Sequence, residues 1–324
     1  MNISRQTNNN VKNVLQKFPK PEWAVQWVPH GSNRKKYFPI TELHEDWNAY
    51  NEWSTNFKKA NDIEFLFFWN NRNIRRKQPA DLILAFNIFC DKLDPEDAKK
   101  CALLMHTQVS DPNGTDLMAV KNAVCPKYKV LFSNQSVDTR MLNFYYNTAD
   151  VTVNIASNEG FGISWNESLH TGTPIINNVT GGLQDGCRFE DNSGNWIEFD
   201  THFPSNHTGV YKKHANWVKP VFPACQSLQG SPVTPYIFDD RCDFRDVADA
   251  MMYWYKMDSE IRYQYGMEGR DWVCGDESNM SAKGMSKRMS ECIEDCFKNW
   301  TPRKRASLYK VEQVKQIENP GVIL

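Results

Sequence analysis

Short apolar runs alternate with amphipathic helical patterns through the middle of this chain. There are five such runs, and most of them are apolar on both faces, as strands buried within a sheet are. They span residues 63–69, 101–107, 129–133, 151–155 and 174–178. Between them, apolar positions recur with a helical period, for example over 81–93 and over 138–148, where Asp138 stands as a helix cap. This alternation predicts an α/β, Rossmann-like parallel sheet with helices on both faces.

The regular alternation stops on either side of this core. Residues 4–18 have an amphipathic helical pattern, and residues 25–31 predict a strand that enters a turn. Residues 41–61 are polar and aromatic without a sustained period, which indicates a linker. Residues from about 187 to 240 are rich in Gly, Pro, Asn and aromatic side chains, which indicates an insertion into the domain.

Helical patterns return after the insertion. They cover about 244–257, 258–273 and 281–299, and a tail at 301–324 without a clear period follows them. The patterns together predict one Rossmann-like domain over residues 62–300.

The composition excludes several classes of function. The chain has 324 residues, 40% of them hydrophobic, and a formal net charge of −1. This balance provides no basic field to attract nucleic acid or an anionic membrane, so neither is an expected partner. No secretory signal or membrane-spanning apolar stretch is evident, and a cytoplasmic protein is expected. The nine cysteines include no Cys-x-x-Cys pair, so neither a disulfide scaffold nor a zinc site is expected.

The run from 149 to 182 contains a predicted strand, a glycine loop, a helix, a second strand and a Gly-Gly turn. The loop should lie at the carboxyl end of a parallel strand, where ligands bind in open α/β sheets. Gly160 and Gly162 allow the backbone to approach a ligand, and the start of the helix offers unpaired N–H groups. Glu159 in the loop and Glu167 in the helix are carboxylates that suit the hydroxyl groups of a sugar or a ribose.

Two other interpretations of this run need to be weighed. Glu159 and Glu167 taken alone are equally well explained as a helix cap and a surface carboxylate. The glycines also invite comparison with a dinucleotide-binding fingerprint. The run lacks the third glycine of that motif and lies late in the chain, which disfavours this second interpretation.

The segment EGFGISWNE has the E-x7-E spacing of the glycosyl transferases group 1 family, and the sequences on both sides of it also resemble that family. The resemblance implies that Glu159 binds hydroxyls of a donor sugar and that Glu167 binds the ribose of its nucleotide. It implies that the backbone at Gly160, Phe161 and Gly162 contacts the sugar and the phosphate. Thr173, after the helix, would shape the wall behind them.

A second segment, FLFFWNNRNIRRKQPADLIL, is similar to the strand, loop and helix of the same family that carry an arginine and, five residues later, a lysine. Arg72 and Lys77 keep that spacing, and the resemblance assigns them to the diphosphate. Asn71 and Gln78 stand where the family has glycines, and further arginines nearby leave the register open. A solvated basic helix start is the alternative interpretation.

A third segment, LFSNQSVDTRMLNFYYNTAD, is similar to the family segment whose loop lines the nucleobase. The resemblance gives Ser136 and Val137 this role, and an ordinary helix cap explains the loop equally well. The chain contains no Asp-x-Asp motif of the kind that binds a metal-diphosphate in the other glycosyltransferase architecture. No metal and no cofactor are expected.

The resemblance as a whole implies the C-terminal half of a GT-B fold, with residues 1–40 as a remnant of the N-terminal acceptor domain. The implied function is that of a retaining glycosyltransferase, with a nucleotide-diphosphate sugar as donor. The acceptor is unidentified, with a glycan and a lipid-linked sugar as candidates. One alternative is a non-catalytic nucleotide-sugar-binding module, whose missing domain comes from a protein partner or a second copy. A sugar-nucleotide epimerase is a third interpretation.

Overall fold

A parallel sheet of six strands lies at the centre of the computed structural model, which describes residues 1–18, 20–200, 202–232 and 234–302. The strands run in the order β3-β2-β1-β4-β5-β6. Their bounds are β1 (Phe65–Asn70), β2 (Cys101–His106), β3 (Lys129–Ser133), β4 (Val151–Asn154), β5 (Ile175–Asn178) and β6 (Val218–Val221). The predicted α/β, Rossmann-like sheet is confirmed.

Helices cover both faces of the sheet. They are α1 (Arg5–Val14), α2 (Trp47–Ala60), α3 (Pro79–Asp91), α4 (Pro95–Lys99), α5 (Leu117–Val124), α6 (Thr139–Thr148), α7 (Ile163–His170), α8 (Leu183–Cys187), α9 (Phe244–Lys256), α10 (Ser259–Cys274) and α11 (Ala282–Asn299). Short 3₁₀ turns occur at Leu15–Lys17, Glu22–Ala24 and Arg75–Lys77. Among the residues that the structure describes, no helix is long and apolar enough to cross a lipid bilayer.

The central strand β1 shows why these residues form this sheet. Its side chains from Leu66 to Trp69 are completely buried because the sheet is covered on both faces. On one face, Phe67 packs against Phe86 and Phe89 of α3. On the other, Phe68 packs against Tyr146 of α6. A strand that is apolar on both faces is therefore the signature of its central position.

Two sequence predictions outside this core are corrected. Residues 25–31 do not form a strand: within the described part of the chain, their β-type pairing is limited to an isolated bridge between Asn2 and Trp27. Residues 41–61, predicted as an irregular linker, contain helix α2. Its aromatic side chains Trp53 and Phe57 form a stacked pair, and Trp53 also packs against Tyr145 of α6.

The segment predicted as an insertion is more regular than its composition indicates. It contains the sixth strand of the sheet and a two-stranded antiparallel hairpin, formed by β7 (Pro223–Ser231) and β8 (Thr234–Cys242). The three helices predicted after it correspond to α9, α10 and α11. Most of the tail predicted at 301–324 lies outside the described residues, and the division into domains stays a prediction.

The loop after β1 keeps a conformation that usually needs glycine. Gln78, at the start of α3, has φ 54° and ψ 41°, in the left-handed region. This conformation costs a residue with a side chain roughly 1–2 kcal/mol. The backbone therefore turns here as a glycine would allow, with Pro79 beginning the helix behind it.

We expect glycine to be more stabilising than alanine at this position. Both Gln78→Gly and Gln78→Ala remove the side chain, but only glycine relieves the left-handed strain, so the glycine variant should be about 1 kcal/mol more stable. Chemical denaturation measures the difference in the free energy of unfolding. Gln264, exposed within α10, is the matched control, because alanine should be the more stable variant there by about 1 kcal/mol. The same order at both positions would contradict the assigned strain.

Candidate functional site

The order of the strands reverses between β1 and β4. In open α/β sheets, such a reversal opens a crevice at the carboxyl ends of the strands, and ligands bind there. The loop after β1 and the loop after β4 meet at this edge: Ser157 N donates a hydrogen bond of 2.7 Å to Arg76 O. The two loops singled out in the sequence are therefore neighbours in the fold.

The two loops bring opposite charges together. Lys77 Nζ contacts Glu159 Oε1, and Arg76 Nη1 lies 3.1 Å from Glu159 Oε2. Lys77 Nζ also donates to Asn71 Oδ1 at 2.7 Å. The side chains of Lys77 and Glu159 are only 10% and 7% exposed. One carboxylate thus faces two cations, which leaves an excess of positive charge at the crevice. We call Asn71, Arg76, Lys77 and Glu159 the charge cluster.

Burial changes the titration of the charge cluster. Desolvation, followed in size by the nearby Arg76 guanidinium, lowers the pKa of Lys77 to about 7. Burial also lowers the pKa of Arg76. An anion that enters the crevice would stabilise the ammonium form of Lys77.

The glycine loop after β4 is held in place by the Gly-Gly turn after β5. Gly182 N donates to Glu159 O at 2.9 Å, and a side chain at Gly181 or Gly182 would collide with the backbone of Glu159 or Gly160. Gly162 has φ 81° and precedes α7. The Gly-Gly turn after β5 therefore fixes the path of the loop that carries Glu159.

Phe161 contributes its backbone rather than its ring to this edge. Its side chain is 2% exposed and packs against His30 and Trp165, with ring centroids 5.5 and 5.0 Å away. Its carbonyl accepts a hydrogen bond of 2.7 Å from Trp165 Nε1. The N-terminus of α7 follows directly, and Gly162, its N-cap residue, makes no side-chain hydrogen bond to the first N–H groups of the helix.

Glu167 is connected to the end of β1 through a tyrosine. Tyr146 Oη donates to Glu167 Oε2 at 2.7 Å and accepts from Asn70 Nδ2 at 3.0 Å. Burial raises the pKa of Glu167, and hydrogen bonds from Tyr146 and Tyr37 oppose that rise. The structure thus places Glu167 beside the crevice, on the side of α6.

Arg72 lies apart from the charge cluster. Its guanidinium binds Asp111, in the loop after β2, with Nε and Nη2 at 2.8 and 3.2 Å from the two carboxylate oxygens. These hydrogen bonds hold the pKa of Asp111 below its usual value. Arg76, one of the arginines that left the register open, is the one beside Lys77.

Three further predicted residues lie away from the charge cluster. Ser136 is exposed in the loop after β3, and Val137 lines a groove of about 530 Å³ beside that strand. Thr173 is buried just before β5, at the opposite edge of the sheet, where its hydroxyl donates to Tyr146 O at 2.8 Å. The structure therefore does not bring Thr173 to the crevice.

One polar residue near the charge cluster was missed in the sequence. Asp239 of β8 is 3% exposed, accepts from Asn158 Nδ2 at 2.8 Å, and lies 3.5 Å from Arg75 Nη1. It lies within the segment that was interpreted as an insertion, and no sequence signal connected it to the loops. Within the described part of the chain, no three His, Cys, Asp or Glu side chains form a metal-binding group. The absence of a metal or cofactor stays a prediction.

Comparison with solved structures identifies the fold. A sucrose-phosphate synthase from Thermosynechococcus elongatus matches 92% of this chain with a TM-score of 0.62 and 19% identity. A glycosyltransferase from Rickettsia africae matches 92% with a TM-score of 0.62 and 14% identity. The Anabaena protein HepE, in complex with UDP and glucose, matches 90% with a TM-score of 0.59 and 11% identity.

The match covers only part of each of these proteins. The chain spans 58%, 63% and 62% of the three structures. No protein-family model and no curated protein matches the sequence. At these identities the likeness defines the architecture, and it agrees with the resemblance seen in the sequence. The chain has the Rossmann-like α/β fold found in these GT-B glycosyltransferases.

Proposed function

We propose that this chain is the donor-binding half of a retaining GT-B glycosyltransferase, which moves a sugar from a nucleotide-diphosphate sugar to an acceptor hydroxyl. The observation that carries the proposal is the charge cluster at the reversal of strand order, where Lys77 and Arg76 share Glu159. The UDP and glucose bound to HepE support a ligand that combines a nucleotide with a sugar.

The charge cluster suits a diphosphate because its donors outnumber its acceptors. A diphosphate offers several anionic oxygens to Lys77, to Arg76 and to the first N–H groups of α7. As Lys77 moves from Glu159 to the phosphate, the carboxylate of Glu159 becomes free to accept hydrogen bonds from sugar hydroxyls. Glu167, half-buried beside Tyr146, has the matching role for the ribose.

The reaction would need mainly electrostatic help. The bond between the anomeric carbon and the diphosphate oxygen breaks, and the acceptor oxygen forms its bond on the same face of the sugar. The acceptor proton passes to the departing diphosphate oxygen. Lys77 and Arg76 stabilise the negative charge that develops there, a type of contact whose loss typically lowers a rate by ~10²–10³-fold. These cations would neutralise the diphosphate without a metal ion.

The remaining assignments extend this proposal to the rest of the ligand. Ser136 and Val137 would line the nucleobase, in the loop after β3. Arg72 has 61% of its side chain exposed and would act on the diphosphate from a distance while it binds Asp111. The acceptor would be a glycan or a lipid-linked sugar, and the reaction would take place in the cytoplasm.

Donor binding can be measured without the acceptor. We expect calorimetry with UDP-, GDP- and ADP-sugars to show binding of one nucleotide class by the wild type. Glu167→Ala should abolish this binding by removing the ribose contact. In a separate assay of sugar transfer to an acceptor, Lys77→Ala should retain the fold but abolish transfer. Asn87→Ala, on α3 and away from the crevice, is the control and should bind like the wild type. Binding by none of the sugars, or unchanged turnover of Lys77→Ala, would refute the proposal.

The affinity for the donor should depend on pH through Lys77. A nucleotide-diphosphate sugar has no phosphate group that titrates near neutrality, so Lys77, with a pKa of about 7, governs the change. The ligand prefers the ammonium form and raises the pKa of Lys77 further. Affinity should therefore fall as the pH rises above about 7, by at most tenfold per pH unit. Calorimetry between pH 6 and pH 9 tests this. The Lys77→Arg variant keeps its charge over this range, so its donor affinity should not depend on pH. A wild-type affinity that does not change with pH would contradict the role of Lys77.

A second candidate function is a nucleotide-sugar-binding module that is inactive alone and completes its cleft with another chain or copy. Exposed apolar side chains near the first helix and on the last one favour it. Val14 and Phe18 are 79% and 71% exposed, and Ile293, Phe297 and Trp300 are 44%, 83% and 57% exposed. Apolar surface of this kind often marks a protein interface.

The module candidate predicts self-association through helix α11. Sedimentation at increasing concentration should show association of the wild type, because the exposed side chains of Ile293, Phe297 and Trp300 are buried when a second copy binds. The double variant Phe297→Ser/Trp300→Ser should stay monomeric and still bind the donor. Leu43→Ser removes another apolar side chain, 99% exposed, and should associate like the wild type. A wild type that remains monomeric at all concentrations would remove support for self-association.

A further inference from the structure

The β7–β8 hairpin forms a wall of the crevice that no sequence motif predicted. Its backbone reaches the loop after β4, where Asp240 N donates to Ser157 O at 2.8 Å. The next residue towards the tip, Asp239, accepts a hydrogen bond from Asn158 Nδ2 at 2.8 Å. The hairpin therefore contacts the loop that carries Glu159 at two successive positions.

Asp239 also contacts the basic loop after β1. Its Oδ2 lies 3.5 Å from Arg75 Nη1, and Arg75 is further held by Gln229 Oε1, across the hairpin, at 2.8 Å. Asn158, the partner of Asp239, accepts a hydrogen bond of 2.9 Å from Arg76 Nη1 through its backbone carbonyl. A chain of contacts thus runs from Asp239 through Asn158 to Arg76 and Glu159.

The burial of Asp239 makes its contacts with the two loops energetically important. A carboxylate that is 3% exposed needs charged and hydrogen-bonding partners, because desolvation of an unpaired charge is costly. Its partners come from both loops of the site. The charge of Asp239 also favours the protonated form of Arg76, against the burial that lowers the pKa of that residue.

Asp240, the neighbouring residue, has a different task. Its carboxylate accepts hydrogen bonds from Thr180 Oγ1 at 2.5 Å, from Gln226 Nε2 at 2.8 Å and from Asn206 Nδ2. The contact with Thr180 anchors the hairpin to the turn after β5. Among the described residues, no side-chain hydrogen bond or ion pair joins Asp240 to Arg75, Arg76 or Lys77. Asp240 is therefore a matched control for the loss of one buried negative charge.

We propose that Asp239 is a positioning residue for the diphosphate site, which sets the geometry of Arg76 and Glu159 through Asn158 while it holds Arg75. The inference rests on the proposed function, because it concerns the same site. Asp239 does not touch the ligand. Its role is to hold the two loops in the relative position at which Arg76 and Lys77 converge on one anion.

A purely electrostatic role and a positioning role of Asp239 predict opposite changes in anion affinity when Asp239 is substituted. If Asp239 contributed only its negative charge, its removal would strengthen the binding of an anion. If it positions the cations, its removal weakens binding although the site becomes more positive. Inorganic pyrophosphate, measured by calorimetry, is the probe, because it tests the anion site independently of nucleotide and sugar.

We expect Asp239→Ala to weaken pyrophosphate binding by tenfold or more, and Asp239→Asn, which keeps an oxygen for Asn158, to weaken it less. Asp240→Asn should bind within threefold of the wild type. Asn158→Ala should weaken binding, and its combination with Asp239→Ala should be less than additive, because both act along one chain of contacts. Thermal unfolding of each variant identifies any that fails to fold, and Asn158→Ala, which leaves Asp239 in place, then provides the test.

Equal or tighter binding by Asp239→Ala would overturn the inference, and so would an equal loss in Asp240→Asn, which would indicate general anchoring of the hairpin. A wild type that binds pyrophosphate but no nucleotide sugar would refute the proposed function alone, and the variants would still decide the role of Asp239. A wild type that binds neither would refute both.

Discussion

The reversal of strand order between β1 and β4 is the constraint on which the rest of the site depends. Right-handed crossovers that leave these two strands in opposite directions place α3 on one face of the sheet and α7 on the other. The loops after β1 and β4 lead to these helices on opposite faces, and the crevice opens at the carboxyl ends of the strands, where the loops meet. Charged side chains from loops far apart in the sequence then meet, as Lys77 and Glu159 do. The topology therefore makes Lys77 and Glu159 neighbours although they are far apart in the sequence.

The positive charge of the crevice is only partly neutralised by the protein, so it remains available to an anionic ligand. One carboxylate, Glu159, cannot neutralise both Lys77 and Arg76, and burial makes the ammonium of Lys77 costly. An anion with several oxygens would repay that desolvation better than Glu159 alone, because it can accept from both cations at once. Asp239 lies outside the charge cluster. Its negative charge faces Arg75 and also favours the protonated form of Arg76. Glu159 therefore sets the excess positive charge that an anion meets, whereas Asp239 holds the arginines in place.

The sequence predicted the elements whose signal is local. Strands apolar on both faces, such as β1, and the cap Asp138, which accepts from Met141 N at 2.8 Å, depend on neighbouring residues and were found. Helix α2 was missed because its period is carried by aromatic side chains among polar ones, and β6 because it is four residues long and contains a proline. The contacts of Arg72 with Asp111 and of Asp239 with Asn158 join residues 39 and 81 positions apart, and no local pattern reveals them.

Asn71 and Gln78, which stand where the resembled family has glycines, show what the loop after β1 requires physically. Gln78 keeps the left-handed conformation of a glycine, so the backbone path survives at an energetic cost. Asn71 instead adds a side chain to the charge cluster: its Oδ1 accepts from Lys77, and its buried Nδ2 has no hydrogen-bond partner within the described residues. Because the ammonium of Lys77 fixes the oxygen towards itself, the amide hydrogens must face the other way and need an acceptor. What the loop preserves is therefore its turn and its surplus of donors, and glycine is only one way to obtain the turn.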